Sequence, residues 1–148
     1  MDYRPGPSAG GFPLQFIQLN LETTYFGKLN SDPITLIEAV PGYYICPAFY
    51  FLQSTFSADT GQNAYIGNKK DLDLYGPGAY QGVLNITNLS GTDALLYQPC
   101  QIPNPVSFQA SENTRANESL VLWQQADDNT WSITAFKIQI GYYLIPTY

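Results

Sequence analysis

Histidine is missing from this 148-residue chain, and charge is scarce. Without an imidazole there is no His-based general base, triad or metal ligand to look for. Charged residues make up 12 %, about half the usual share. Six basic residues stand against twelve acidic ones, for a net charge of −6. So few cations, scattered along the chain, cannot build the stripe that neutralises phosphates, and no nucleic-acid partner is expected. No stretch approaches the roughly 18 apolar residues of a membrane span, so no membrane is expected either. There are two cysteines, Cys46 and Cys100. At that spacing they read as buried free thiols, a bridge across facing strands being the alternative. The first residues, MDYRPGP, lack a basic stretch followed by an apolar one, so synthesis in a cytoplasm without export is expected.

Aromatic rings are abundant: 12 Tyr, 8 Phe and 2 Trp. Apolar residues make up 45 %, enough for one real core. Residues 1–13 hold three of the eleven prolines and three of the twelve glycines, a composition that fits neither helix nor central strand. They read either as a tail or as an extended arm lying on a neighbouring subunit. Tyr3, Phe12 and Pro13 give such an arm something to bury.

Residues 14–21 (LQFIQLNL) alternate as a half-buried strand does. Residues 22–29 allow one short helical turn, and Asn30-Ser31-Asp32-Pro33 reads as a turn. Residues 34–40 read as a strand broken by Pro41-Gly42. Residues 43–56 (YYICPAFYFLQSTF) are the longest apolar run and favour strand, with Pro47 confined to an edge or a bulge. Short strands are expected at residues 65–66, 72–75, 83–87, 95–97 and 106–108. Residues 119–125, a turn at 126–129 and residues 131–144 imply one long hairpin. The expected fold is all-β: a single antiparallel β-sandwich or barrel of jelly-roll type over residues 14–148, preceded by an extended N-terminal arm at 1–13.

A search for chemistry returns little. No lysine sits near a serine in a catalytic pattern, and Cys46 lies in the most apolar run, where a thiol keeps its proton. Asp71 and Asp73 would project from one face of a strand and suit a Ca²⁺ ion, but a solvated sheet face is the commoner meaning. Asp127 and Asp128 suit a turn, and Gly76-Pro77-Gly78 lacks the lysine of a phosphate loop. No catalytic residue, metal or cofactor is expected. The rings carry the functional signal. Neighbours along a strand face opposite sides, so Tyr43-Tyr44 and Phe49-Tyr50-Phe51 cannot all enter one core. The surplus points to a subunit interface, for which Tyr3, Phe12, Pro13, Tyr43, Tyr44, Tyr50, Trp123 and Tyr143 are the candidates. A carbohydrate platform is the rival reading.

Residues 19–42, LNLETTYFGKLNSDPITLIEAVPG, and residues 117–145, NESLVLWQQADDNTWSITAFKIQIGYYLI, resemble a family of small β-rich tailed-phage virion proteins, capsid decoration or cement proteins and tail-associated proteins among them. The likeness lies in strand patterns and turns and is strongest at the two ends. The Pro/Gly arm and the proline-rich stretch at 99–105 depart from it. The resemblance implies a non-enzymatic bacteriophage protein on the capsid surface. Its partners would be the major capsid protein and copies of itself, a trimer being favoured. A tail-fibre or receptor-binding module recognising host glycan is the alternative. No functional residue is carried over.

Overall fold

The structure is a computed structural model and describes residues 13–21, 28–56, 63–84, 91–100, 118–127 and 133–146. These residues form eight strands, one short helix and a 3-10 turn. The strands are β1 (Gln15–Leu21), β2 (Ile34–Ile37), β3 (Tyr43–Phe56), β4 (Ala64–Asn68), β5 (Gly82–Leu84), β6 (Gly91–Pro99), β7 (Leu120–Trp123) and β8 (Ile133–Pro146). Helix α1 (Lys69–Tyr75) and the 3-10 turn (Gly76–Ala79) lie between β4 and β5. The strands make two four-stranded antiparallel sheets, ordered β1-β8-β3-β6 and β2-β7-β4-β5. Strand β1 pairs with β8, β2 with β7, β3 with β6 and β4 with β5. All-β architecture is therefore as expected. The arm at residues 1–12 and the strand expected at 106–108 lie outside the described residues.

One core joins the sheets. Ile45, Tyr50 and Leu52 of β3 and Phe136, Ile138 and Ile140 of β8 pack with Ile34, Leu36, Ala64, Ile66, Leu84, Leu120 and Leu122 of the other sheet. Strand β1 adds Ile17, Leu19 and Leu21 on its inward phase. Tyr50 ties the two sheets together. It is fully buried, its hydroxyl donates to the Val83 carbonyl of β5, and Gln98 Oε1 of β6 lies 2.9 Å away. Burial, with Cys100 and Tyr80 adding to it, pushes its phenol well above the ordinary tyrosine value. Gly82 makes room for the ring, since a Cβ there would sit 3.0 Å from Tyr50 Cε1.

Several local expectations hold. Pro47 sits at a bulge, where the β3–β8 register shifts between Pro47 and Phe49. The ladder to β6 reaches only as far as Phe49, so the missing N–H breaks no bond on that side. Gly42 ends the preceding segment at φ 82, a conformation that disfavours side chains. Both cysteines are free thiols as expected, though half-buried rather than fully buried, and burial, with Cys46 adding to it, pushes the Cys100 thiol up to about 12.

Two expectations are corrected. Residues 72–75 are not a strand but lie in α1. Asn68 caps that helix, accepting from the Lys70 and Asp71 amides at 3.1 and 3.3 Å, and Lys69 pairs with Asp73 one turn on at 2.7 Å. Gly76, at φ 65, stops it. Strands β7 and β8 do not form a hairpin. They belong to different sheets, because all four residues of β7 are buried and it sits between β2 and β4 with both faces covered.

The crossing from β7 is pinned instead to the loop before β2. Asp127 accepts from the Asn30 and Ser31 amides at 3.0 and 2.9 Å and from Ser31 Oγ at 2.6 Å. Asn30 Nδ2 donates back to the carbonyls of Gln124 and Gln125 at 2.8 and 2.9 Å. The Ser31 hydrogen bonds hold the Asp127 carboxyl below the usual range, with Asn30 and Lys28 helping.

Candidate functional site: an open aromatic sheet face

The two sheets treat their outer faces differently. On the β2-β7-β4-β5 sheet, Val121 and Trp123 turn away from the shared core and are buried under Leu72 of α1. Tyr65 and Tyr80 close the patch, with ring centroids 5.6 Å apart and Tyr65 6.2 Å from Trp123. The chain covers this face with its own helix. On the β1-β8-β3-β6 sheet, no described helix or strand lies over the outer face.

Strand phase decides what that open face carries. In β1 the inward residues are Ile17, Leu19 and Leu21, so Phe16, Gln18 and Asn20 point out. Register then sets cross-strand rows. Phe16 stands opposite Gly141, which stands opposite Phe49, which stands opposite Pro99. The next row runs Gln18, Gln139, Phe51. The third runs Asn20, Lys137, Gln53, and Lys137 is the single charged residue among these rows. Toward the other end, Cys46 faces Tyr143 and Tyr44 faces Ile145.

Phe16 is the most exposed large apolar residue described, at 66 %. Its ring stacks at a tilt on Phe49, with centroids 5.8 Å apart and 58° between planes. Phe49 in turn lies over Gly141, where an added Cβ would collide with the ring. Glycine in the middle of β8 thus lets the rings of two strands merge into one slab across three. Beside it the Gln139 amide donates to Gln18 Oε1 at 2.8 Å, and Phe16, Ile17, Gln18 and Gln139 line a shallow depression of about 320 Å³. The rows nearest Phe16 are aromatic and amide-bearing, with Lys137 as the charge at their margin. Chemically they can bury apolar groups or stack on rings, and they offer amides as their polar contacts.

The residues expected at an interface are not all brought here. Tyr44 and Tyr143 lie on the open face, half-buried. Tyr43, at the start of β3, is exposed at 37 %. Pro13 is exposed just ahead of β1. Tyr3 and Phe12 lie outside the described residues. Tyr50 and Trp123 are corrected: they are inside the chain's own packing, one between the sheets and one beneath α1, and present no ring to another chain. Phe16 was missed, although a signal for it exists. It is the one aromatic on the polar phase of an otherwise amphipathic strand.

Asp71 and Asp73 do not share a strand face; Asp71 is buried and Asp73 is exposed in its pair with Lys69. No group of three or more metal-ligating side chains occurs among the described residues. No described helix is long and apolar enough to cross a membrane.

No family model matches the chain, and no curated protein matches it. Among solved structures it is similar to the cyanophage Pam1 capsid asymmetric unit, over 88 % of this chain and 83 % of that chain, with a TM-score of 0.41 and 8 % identity.

Proposed function

We propose that this chain is a non-enzymatic virion structural protein, a decoration or cement protein that fastens onto a bacteriophage shell as a homo-oligomer. The open ring slab of Phe16 and Phe49 carries this reading. An aromatic face with no described element over it, while the other sheet is roofed by α1, is what an interface needs before its partner arrives. Many copies, each held weakly, fasten a shell through multivalency. The major capsid protein and further copies of this chain are the proposed partners, with the capsid surface as the site of action after synthesis in the host cytoplasm.

The strand pairing supports the same reading. Pairs β1·β8, β2·β7, β3·β6 and β4·β5 are what one long eight-stranded hairpin makes. Rolled up, with alternate pairs assigned to alternate sheets, it becomes a jelly roll, an architecture used in viral capsids and in lectins. Fold alone does not assign function, so the argument rests on the face.

A second reading, a tail-fibre or receptor-binding module, has one observation in its favour: the Gln18 and Gln139 amides beside the exposed Phe16 ring suit a sugar. Co-sedimentation with assembled shells of the phage encoding the chain separates the two. The first reading expects co-sedimentation that deletion of residues 1–13 abolishes. A signal on a glycan array without shell affinity would overturn it.

A further inference from the structure

The open face has a specific candidate cover. Strand β1 begins at Gln15 opposite Tyr142, while β8 runs on to Pro146. The first ten residues, 1–10, are a length of chain available beyond this end of the sheet. At about 3.1 Å per residue for an extended proline-containing segment, they reach roughly 30 Å. A four-stranded sheet is about 15 Å across. The reach is therefore about twice the width of the open face, and the segment joins the sheet at the end where β1 begins.

The composition of this segment matches the face. Residues 1–12 (MDYRPGPSAGGF) carry one acid and one base, so no net charge from side chains, together with Tyr3, Phe12, Pro5 and Pro7. Prolines lower the entropy lost when a segment docks extended, and flat aromatic rows are the surfaces that accept them. The face offers Phe16, Phe49 and Phe51 in neighbouring rows, while the acid of this sheet, Asp93, stands opposite Thr55 two rows beyond Phe51.

We propose that residues 1–12 of a second copy of this chain seat on the outer face of the β1-β8-β3-β6 sheet, across Phe16, Phe49 and Phe51. The inference deepens the oligomeric part of the proposed function and rests on it. Exchange is reciprocal: each copy gives an arm and receives one. That makes the contact additive over copies and places the arm at the joint between them.

Sedimentation of full-length chains tests it. The face variant Phe16→Ser keeps its arm, and the arm variant Tyr3→Ser with Phe12→Ser keeps its face. Each alone is expected to self-associate at least about tenfold more weakly than the unaltered chain. Phe16 is a surface ring whose loss removes one ring pair, so circular dichroism should stay unchanged and the melting temperature should fall by only a few degrees, which excludes misfolding as the cause. Mixing a fluorescently labelled face variant with an unlabelled arm variant is expected to give a mixed complex, since the first supplies an arm and the second a face. An unaltered chain that stays monomeric at all concentrations would overturn the proposal, and would point to a cover from the same chain. So would an arm variant that still associates, which would mean face-to-face packing, or two dissociated variants that fail to complement. Shell co-sedimentation of the two variants is read separately: shell binding without self-association removes the arm exchange and leaves the virion role standing.

Discussion

Replacing Tyr50 by Phe tests whether this ring joins the two sheets or serves an interface. The ring stays; only the hydroxyl goes. The Val83 carbonyl then loses its donor inside the packed region, and Gln98 Oε1 loses a polar neighbour. An unsatisfied buried acceptor costs about 1–3 kcal/mol. Val83 itself is half-buried, so water recovers part of this, and about 1–2 kcal/mol is expected. For a chain of this length that lowers the melting temperature by roughly 2–8 °C. In urea the midpoint should fall by about 0.5–1 M with no change in slope.

The loss should be independent of protein concentration, because the contact lies within one chain. Alkaline pH adds a second readout. The folded phenol titrates above the unfolded value of 10.0. Its contribution to stability is therefore complete below pH 10 and is lost as pH rises through the folded value. The variant should lose stability less steeply above pH 10 than the parent. A Tyr50→Phe chain with unchanged stability but weaker self-association would refute the placement of this residue between the sheets.

Gly82→Ala puts a Cβ 3.0 Å from Tyr50 Cε1 and 3.4 Å from Ile66 Cβ, two groups fixed in the core. It should cost about 1–3 kcal/mol in urea unfolding. Asn68→Ala removes the cap of α1 and should cost about 1 kcal/mol. Since α1 covers Trp123, the tryptophan emission should shift to the red in the same variant. Acid should loosen the joint between the loops before β2 and after β7. The folded Asp127 carboxyl titrates below its ordinary 3.8. Its stabilisation is thus present above that value and is lost as pH falls through the folded one. In Asp127→Asn the acid limb of the stability profile should flatten, and the Ser31 amide should exchange faster at neutral pH.

Much of this fold is legible in the residues, and the exceptions have physical causes. The bounds of β3 follow from a fourteen-residue run rich in β-formers between Gly42 and a polar stretch, and its bulge follows from Pro47. Strand β1 follows from strict alternation. Helix α1 is hidden because Leu72 and Leu74 also fit a strand of period two. Two residues along a helix turn the side chain by roughly 200°, which is why Leu72 is fully buried and Leu74 is 60 % exposed. Only the Asn68 cap and the Lys69–Asp73 pair tip the balance. The β7–β8 hairpin misleads for a different reason. Short turns usually join partners, yet Leu-Val-Leu-Trp has no polar phase, and a strand without one belongs in the middle of a covered sheet. Tyr50 and Trp123 misled because a ring's fate depends on register, and register is invisible until both neighbours are known.

The surplus of rings divides once register is known. Tyr50 fills the gap between the sheets. Tyr65, Tyr80 and Trp123 make a second, smaller packing site that exists because α1 is inserted between β4 and β5. Without that insertion the outward side of β7 would be as bare as that of β3. Phe16 and Phe49 have no such roof among the described residues, and Gly141 keeps them together where a side chain would push them apart. A ring pair of this kind contributes about 0.5–1.5 kcal/mol beyond its buried area, too little to justify holding Phe16 in water for the monomer's sake. The same pair, once covered, joins Phe51 in a continuous desolvated patch of the kind that dominates association. The scarcity of charge fits this division. One covered face and one aromatic open face leave few strand positions where a charged side chain would meet water, and Lys137 occupies one of them at the margin of the slab.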